Sequence, residues 1–302
     1  MGVCDGRVVI VTGAGNGIGK EHALEFGRQG AKVVVCDLGV TRSGEGGDAK
    51  PAEEVVEEIK ALGSDAIPFF CDVTDFNACG DMVKTAVDTF GGLDVVVNNA
   101  GFLRDRMFAS CGEDEWDAVI KVHLKGHFCT SRHAVGYWRD QAKAGNEVSG
   151  RIVNTSSGAG LQGSVAQSTY SSAKAGIATL TLVQAAELGR YGITSNAICP
   201  AARTRMTEEV FKDMMANVGE GEFDAMDPSN ISPLVAWLGS KESGDVTGQV
   251  FEVEGGKISV ADGWRKGPEI DKGARWDPAE VGDAVKEIMG KAVPAQKVYG
   301  SK

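Results

Sequence analysis

Short apolar runs alternate along this chain with longer amphipathic stretches. The short runs are rich in β-branched residues and are mostly bounded by Gly, Asp or Asn, which predicts buried strands. They cover residues 8–11, 32–36, 66–70, 95–97, 151–154, 194–198 and 249–253. Apolar positions at helical spacing predict helices around 18–29, 51–62, 75–90, 114–141, 169–190 and 229–240. Because strands alternate with helices, we expect right-handed crossovers and a doubly wound α/β fold, with helices on both faces of a parallel sheet.

Three segments depart from a minimal doubly wound pattern. Gly39–Lys50 is a polar loop that is longer than the usual connection. Ala201–Asp227 is rich in Met and interrupted by Gly, which indicates either a substrate lid with an adaptable apolar surface or a plain packed helix. The tail carries a helical pattern near 278–290 and either packs on a neighbouring subunit or borders the substrate pocket. Without repeats or a low-complexity linker, we predict one domain over residues 1–256 and a C-terminal extension over 257–302.

Charge and composition narrow the class of protein. The net charge of −11 argues against binding to nucleic acid, which needs clustered Lys and Arg, and against anionic membrane surfaces. The seven cysteines are scattered, with no Cys-x-x-Cys pair and no His at metal-ligand spacing, so we expect reduced thiols and no metal. The sequence shows neither a signal peptide nor an apolar run of about 20 residues. We therefore expect a cytoplasmic protein without membrane contact.

A glycine-rich segment follows the first predicted strand and opens the first predicted helix. It reads Thr12-Gly-Ala-Gly-Asn-Gly-Ile-Gly19. Such glycines allow a tight turn and a close approach of the backbone to a pyrophosphate, and the helix N-terminus offers free N–H groups to the phosphates. The segment predicts dinucleotide binding by Gly13, Asn16, Gly17, Ile18 and Gly19.

Asp37 ends the second predicted strand, where a carboxylate can accept hydrogen bonds from the hydroxyls of an adenosine ribose. It would repel a 2′-phosphate, and no Arg or Lys follows directly, so the predicted cofactor is NAD rather than NADP. The alternative is an aspartate that only serves the turn. Further candidates for the dinucleotide follow the third and fourth strands, at the edge where open α/β sheets bind ligands; they are Asp72, Val73, Asn99, Ala100 and Gly101.

Tyr170 and Lys174 stand four residues apart, and Ser157 precedes Tyr170 by thirteen residues. On a helix, positions i and i+4 share a face, so the Lys174 ammonium can lie near the phenol and lower its pKa towards working pH. Ser157 would hydrogen-bond the same substrate oxygen from another segment, and Ser156 is the competing assignment. Taken alone, the spacing is also typical of an ordinary helix start with a solvated lysine.

Together these motifs resemble the short-chain dehydrogenase/reductase family, over about residues 5–256. The family pattern is a glycine loop, Asn-Asn-Ala-Gly, Ser and Tyr-x-x-x-Lys, matched here by Thr12–Gly19, Asn98–Gly101, Ser157, Tyr170 and Lys174. The resemblance implies a Rossmann-type sheet of seven strands, hydride exchange with a nicotinamide, and a homodimer or homotetramer. It makes Tyr170 the general acid/base, assigns the nicotinamide ribose and the lowering of the tyrosine pKa to Lys174, and favours Ser157 over Ser156.

Two positions depart from the family pattern. Where members commonly carry an asparagine in a proton relay, this chain has His123. A histidine can hydrogen-bond water, so a relay remains open and would depend on pH; the alternative is a structural histidine. Pro200 and Thr204 fall where the family contacts the nicotinamide amide, although the usual Pro-Gly is Pro200-Ala201 here.

A narrower resemblance concerns the substrate. The stretches 35–39, 98–106 and 122–126 are similar to the dehydrogenase part of peroxisomal multifunctional enzymes and to bacterial 3-hydroxyacyl-CoA or 17β-hydroxysteroid dehydrogenases. This similarity implies NAD-dependent oxidation of a secondary alcohol on a CoA thioester, including one that bears a steroid side chain. The alternatives are a 3-oxoacyl thioester reductase, a dehydrogenase of free hydroxysteroids and, more remotely, a protein that binds NAD without catalysis.

Overall fold

Seven parallel strands build the centre of the sheet, as expected from the apolar runs. The computed structural model describes residues 2–40, 46–204 and 221–301. The parallel strands are β1 (Val8–Thr12), β2 (Lys32–Cys36), β3 (Ala66–Phe69), β4 (Val95–Asn98), β5 (Gly150–Thr155), β6 (Ile193–Ala201) and β7 (Val250–Glu254). Their order across the sheet is β3-β2-β1-β4-β5-β6-β7. Most of the predicted lid lies outside the described residues.

Helices cover both faces of this sheet. They are α1 (Gly17–Arg28), α2 (Lys50–Ala61), α3 (Phe76–Phe90), α4 (Glu113–Ile120), α5 (Gly126–Lys143), α6 (Gly158–Gln162), α7 (Ser168–Leu188), α8 (Ser232–Leu238) and α9 (Pro278–Lys291). Helix α3 shows why such segments begin and end where they do. The Asp75 carboxylate accepts hydrogen bonds from the first free N–H groups, and Gly91 takes a left-handed φ of 87° that ends the helix.

The strands bury both of their faces. In β1, Val9 and Val11 pack into a core with α1, α2 and α8, whereas Val8 and Ile10 pack into a second core with α3 and α5. A parallel sheet that is covered on both sides needs apolar side chains at consecutive positions. This arrangement confirms the predicted doubly wound α/β fold.

An eighth strand extends the sheet beyond the seven that were predicted. β8 (Lys257–Val260) pairs antiparallel with β7, with Glu254 opposite Lys257. The two residues between them are Gly255 and Gly256, and Gly255 has a φ of 52°, so a tight hairpin joins the strands. The first residues of the predicted extension therefore belong to the sheet, and the boundary at residue 256 stays a prediction.

The predicted helix over 114–141 is interrupted in the structure. α4 and α5 are joined by one π-helical turn at Lys121–Lys125, and His123 lies in the middle of it. Such turns widen a helix locally and are frequent at functional sites. The short helix α6 had not been predicted; it begins where the Ser157 hydroxyl accepts a hydrogen bond from the N–H of Ala159, at 3.2 Å.

The order of the strands locates the crevice where a ligand can bind. β1 lies between β2 and β4, so the chain winds outwards in opposite directions on either side of it. In doubly wound folds, such a point opens a crevice at the carboxyl ends of the strands. Within the described residues, no helix combines the length and apolarity needed to cross a membrane.

Candidate active site

A cleft of about 300 Å³ lies at the carboxyl ends of the central strands. It brings together nearly all of the candidate residues from distant parts of the chain. Its lining includes Gly13, Asn16, Gly17, Ile18, Gly19, Asp37, Asp72, Val73, Asn99, Ala100, Gly101, His123, Tyr170, Lys174, Pro200 and Thr204. Ser157 does not line the cleft, but it hydrogen-bonds Tyr170 from the adjoining helix start.

The glycine loop has no room for side chains on its inner side. A Cβ atom at Gly19 would lie 2.0 Å from the carbonyl oxygen of Gly13 and 2.4 Å from Nδ2 of Asn99. Gly17 differs, because it has a φ of 55° and its nearest described neighbour, Thr204, would be 3.8 Å from an added Cβ. The loop therefore packs tightly against its own backbone and Asn99 at Gly19, whereas its backbone at Gly17 faces the cleft.

Asn99 holds this loop in place. Its side-chain amide donates to the carbonyl oxygens of Thr12 and Gly13, both at 3.1 Å. Its backbone N–H donates to the Thr12 hydroxyl at 3.0 Å. The direct contact with a cofactor that was predicted for Asn99 stays a prediction, whereas the described contacts of its side chain position the loop.

Asp37 is held rigidly by the backbone around it. One carboxylate oxygen accepts a hydrogen bond from the N–H of Gly15 at 2.7 Å, and the other from the N–H of Gly39 at 2.6 Å. The carboxylate is therefore fixed at the end of β2, in the wall of the cleft. Asp72 is held in a similar way, by the N–H of Thr74 at 2.8 Å.

Tyr170 lies in the first turn of α7, beside Ser157 and His123. Burial raises the pKa of its phenol to about 12, and the hydrogen bond with the Ser157 hydroxyl opposes this shift. Its ring meets the His123 ring edge to face, with 5.2 Å between centroids. The neighbouring Ser156 lines the cleft, but its hydroxyl is used by the carbonyl oxygen of Lys174, to which it donates at 2.8 Å. The geometry thus brings Ser157, rather than Ser156, to the phenol.

Lys174 is a buried cation on the same face of α7. Its Nζ lies 5.4 Å from the centroid of the Tyr170 ring and donates to the carbonyl oxygen of Thr155 at 2.6 Å. No carboxylate of the described residues forms an ion pair with it. Burial lowers the pKa of Lys174 to about 7. The predicted proximity to Tyr170 is present, but burial of each group is the largest influence on its pKa.

His123 is neutral across the physiological range. Burial lowers its pKa to about 3, with a further contribution from the positive charge of Lys174. Its Nε2 lies 2.7 Å from the carbonyl oxygen of Phe102 and 3.2 Å from the backbone nitrogen of the same residue. The shorter contact favours the tautomer in which Nε2 carries the proton and donates to the carbonyl oxygen, while Nδ1 is buried without a hydrogen-bond partner in the described structure. The expectation that His123 would add a pH dependence near neutrality therefore conflicts with its burial.

A family model described as short chain dehydrogenase matches residues 7–215. The chain belongs to this family. It is therefore an oxidoreductase that acts on CH–OH donors and uses a nicotinamide dinucleotide, NAD or NADP. The family predicted from the motifs is confirmed.

Relatives of this short-chain dehydrogenase include two enzymes from distant organisms. Hydroxyacyl-CoA dehydrogenase ChsB1 of Mycobacterium tuberculosis is 42% identical over 302 residues, which cover 96% of this chain and 91% of that protein. Peroxisomal multifunctional enzyme type 2 of Mus musculus is 43% identical over 254 residues, which cover 84% of this chain and 32% of that longer protein. A crystal structure of a short chain dehydrogenase from Mycobacterium avium is 61% identical and superposes with a TM-score of 0.89, covering 99% of this chain and 100% of the other.

His127 is a residue of the site that the sequence analysis missed. Its Nε2 accepts a hydrogen bond from the N–H of Thr155 at 3.2 Å. Since Lys174 binds the carbonyl oxygen of Thr155, the two side chains hold both backbone groups of that residue. Burial and the charge of Lys174 hold the pKa of His127 well below its usual range. The four-residue spacing between His123 and His127 was the available signal, since it places both side chains on one side of the helical segment.

Tyr299, near the end of the described residues, packs beside the segment that follows Ser157. The backbone of Tyr299 pairs with the loop after α6, donating to Gly163 at 3.1 Å and accepting from Val165 at 2.8 Å. A Cβ atom added at Gly158 would lie 2.8 Å from the Tyr299 hydroxyl. In the described structure, the last residues of the extension thus border the segment between Ser157 and Tyr170.

Replacing Gly101 with Ala should destabilise the site through a single steric contact. The added Cβ would lie 2.3 Å from Cε1 of His123, and overpacking of this kind typically costs about 1–3 kcal/mol. We expect Gly101→Ala to lower the free energy of unfolding in urea by that amount. The double variant with His123→Ala should recover part of the loss. A double-mutant cycle that shows simple additivity would contradict this contact.

Proposed function

We propose that this short-chain dehydrogenase oxidises the secondary alcohol of 3-hydroxyacyl-CoA thioesters to a ketone, with NAD as the oxidant. The observation that carries the proposal is the Ser157–Tyr170–Lys174 cluster, which adjoins the same cleft as the glycine loop and Asp37. The relative ChsB1, similar along nearly its whole length, supports the CoA thioester as the substrate class. The proposed substrates include CoA thioesters that carry a steroid side chain.

The described residues of the cleft fit a dinucleotide. The backbone at Gly17 opens towards the cleft where a pyrophosphate would lie, and the start of α1 supplies N–H groups to it. The carboxylate of Asp37, fixed by Gly15 and Gly39, is placed to accept hydrogen bonds from the adenosine ribose and to repel a 2′-phosphate. These features support NAD over NADP.

Proton transfer in this proposal runs through Tyr170. Ser157 holds the substrate oxygen, and Tyr170 takes the hydroxyl proton as the carbon–hydrogen bond breaks. A nicotinamide held in the cleft would supply the acceptor for the hydride of that carbon. Burial is the main cause that raises the pKa of Tyr170. The phenolate therefore has to be favoured by positive charge close by. Lys174 supplies one such charge while Thr155 holds its Nζ in position.

His123 takes part in this site as a neutral hydrogen-bonding group. Its Nε2–H is used by Phe102, which leaves Nδ1 as a buried acceptor beside Tyr170 and Lys174. We infer that Nδ1 accepts a hydrogen bond from a water molecule, in place of the asparagine that is common in the family.

Replacing His123 with Asn should leave the shape of the pH profile unchanged. Because the pKa of His123 is lowered to about 3, the histidine carries no charge between about pH 5 and pH 8, the window in which an ordinary histidine titrates. The measurement is kcat/KM against pH for the wild type and for His123→Asn. If the wild type shows an ionisation in that window and the variant has lost it, His123 titrates during turnover and this assignment is wrong.

The experiment that tests the function follows reduction of the cofactor. Purified protein is mixed with NAD and a series of 3-hydroxyacyl-CoA thioesters, and NADH formation is recorded. Parallel arms use NADP, free hydroxysteroids and, for the reverse direction, 3-oxoacyl thioesters with NADH. Turnover of hydroxyacyl thioesters with NAD supports the proposal. Absence of turnover with every thioester, or tighter binding of NADP, would reject the substrate or the cofactor respectively.

The expected assembly and location stay predictions. A homodimer or homotetramer can be tested by light scattering on the purified protein. A cytoplasmic location can be tested by fractionation of the source cells.

A further inference from the structure

Two arginines lie at the edge of the site, outside the residues used in catalysis. The segment after β4 carries Arg104, Asp105 and Arg106, and it forms an isolated parallel bridge between Arg106 and Gln167. Its backbone joins α7 just before the catalytic tyrosine, since the N–H of Arg106 donates to the carbonyl oxygen of Ala166 at 2.8 Å. Gln167 reinforces this connection by donating to both carboxylate oxygens of Asp105, at 3.1 and 3.2 Å.

This connection places the arginines on the substrate side of the site. Gln167 precedes Tyr170 by three residues, which is less than one turn of helix, or about 4.5 Å along its axis. The same segment begins at Phe102, a buried residue that lines the cleft and accepts the hydrogen bond from His123. The residues that fit the dinucleotide phosphates belong instead to the glycine loop at the start of α1.

The two guanidinium groups differ in the contacts that they make. Arg104 forms no ion pair with any carboxylate in the described part of the chain, and its guanidinium lies 5.5 Å from the centroid of the Phe102 ring. Arg106 has a side chain that is 60% exposed and pairs at 2.9 Å with Glu115. The chain as a whole has a net charge of −11, whereas Arg104 and Arg106 are both cationic.

Exposed apolar side chains follow directly on the arginines. Phe108 is 80% exposed and Met107 is 57% exposed. A surface aromatic ring can stack on a nucleobase. Arginines bind phosphate oxygens through paired N–H groups. The combination of guanidinium groups and an exposed aromatic ring therefore matches a ligand that has both phosphates and a base.

We infer that Arg104, Arg106 and Phe108 form a recognition surface for the nucleotide end of coenzyme A, with the arginines on its phosphates and Phe108 against its adenine. This inference rests on the proposed function, because it assumes a CoA thioester as substrate. The pantetheine arm separates the phosphates from the reacting carbon, so the phosphates have to lie outside the cleft, on exposed surface at its edge. The segment 104–108 provides such a surface beside the start of α7.

The test compares two substrates that differ only in the carrier group. One is a 3-hydroxyacyl-CoA, and the other is the same acyl group on N-acetylcysteamine, which has neither phosphates nor adenine. Arg104→Gln should raise KM for the CoA thioester about tenfold, as expected for the loss of a charge-assisted hydrogen bond at a partly exposed site. KM for the N-acetylcysteamine thioester, and kcat for both, should stay within about twofold of the wild type. Phe108→Ala should act in the same selective way.

Two further variants sharpen the comparison. Glu115→Gln removes the carboxylate that neutralises Arg106 but keeps an oxygen for the N–H of Gly112, which Glu115 now binds at 3.0 Å; it should lower KM for the CoA thioester by about two- to fivefold. Arg132→Gln, an exposed arginine on α5, is the matched control and should change neither KM. Equal changes of KM for both thioesters in Arg104→Gln, or no change at all, would overturn the inference. Absence of turnover with either thioester in the wild type would instead reject the proposed function.

Discussion

Tyr170→Phe is expected to lower turnover about 10²–10⁴-fold, the usual contribution of a general acid or base. The substitution removes only the phenolic oxygen, which hydrogen-bonds Ser157, and keeps the ring that meets His123 edge to face at 5.2 Å. The packing of α7 against the π-helical turn therefore stays in place. Affinity for NAD and the urea midpoint of unfolding should remain close to the wild-type values. The measurement is kcat with NAD and a 3-hydroxyacyl thioester.

Tyr137→Phe is the matched control for this prediction. Tyr137 packs against the core beneath α3 and α5 and lies away from the cleft, so the same loss of a hydroxyl should leave kcat unchanged. If Tyr170→Phe kept more than about a tenth of wild-type turnover, Tyr170 would not be the acid/base of the reaction. Equal losses in the two variants would indicate a general effect on folding instead.

Lys174→Met is expected to abolish most of the activity and, at the same time, to stabilise the protein without bound dinucleotide near neutral pH. Lys174 is 2% exposed, and it donates to the Thr155 carbonyl oxygen without a carboxylate partner in the described residues. A buried charge without a partner opposes folding. Methionine fills a similar volume without charge, and turnover should fall by about 10²-fold or more because the cation beside Tyr170 is lost.

The stabilising effect should depend on pH in a defined direction. Burial lowers the pKa of Lys174 to about 7, whereas a lysine in the unfolded chain titrates near about 10.4. Between these values the unfolded chain binds more protons than the folded chain, so the free energy of unfolding of the wild type rises with pH. The penalty from Lys174 is complete below about pH 7 and fades towards about pH 10. The advantage of Lys174→Met should therefore be largest near pH 7 and should shrink as the pH is raised.

Urea unfolding at several pH values checks this difference in the absence of dinucleotide. The loss of the hydrogen bond to Thr155 shifts the free energy of the variant by a constant, so the slope against pH is the decisive quantity. Lys143→Met, which removes an exposed lysine at the end of α5, tests for the general effect of losing one positive charge. A difference between Lys174→Met and wild type that does not change with pH would show that Lys174 is not buried as a cation.

Much of the fold followed from local pattern. The continuous apolar runs predicted β1 to β7 to within a few residues, because a strand that is buried on both faces has no polar positions to obscure it. The eighth strand was missed because Lys257–Val260 is short and all four of its residues are exposed to solvent. Its identity as a strand depends on pairing with β7. The π-helical turn was missed for a related reason: an amphipathic period continues through it, and only the packing around His123 shows the change in winding.

Most of the candidate residues line one cleft, and their roles stay predictions, but several of their contacts had not been foreseen. Asn99 was expected to touch the cofactor, whereas its amide braces Thr12 and Gly13. His123 was expected to bring a pH dependence, but its burial lowers the pKa to about 3. His127 was overlooked altogether. Each of these outcomes depends on which groups surround a side chain in space, and a spacing along the chain does not contain that information.

The strand–helix order, the glycine loop and the candidate reacting groups could be inferred from sequence, because these depend on residue type and on spacing within one or two elements. Only packing in three dimensions shows which of two adjacent serines meets Tyr170, how Gly101 makes room for His123, and that Lys174 is buried beside a half-buried Tyr170. It also shows that Arg104, Arg106 and Phe108 stand beside the start of α7. Burial and cross-element contacts set pKa values and access to ligands, and both arise only when segments far apart in the chain pack together.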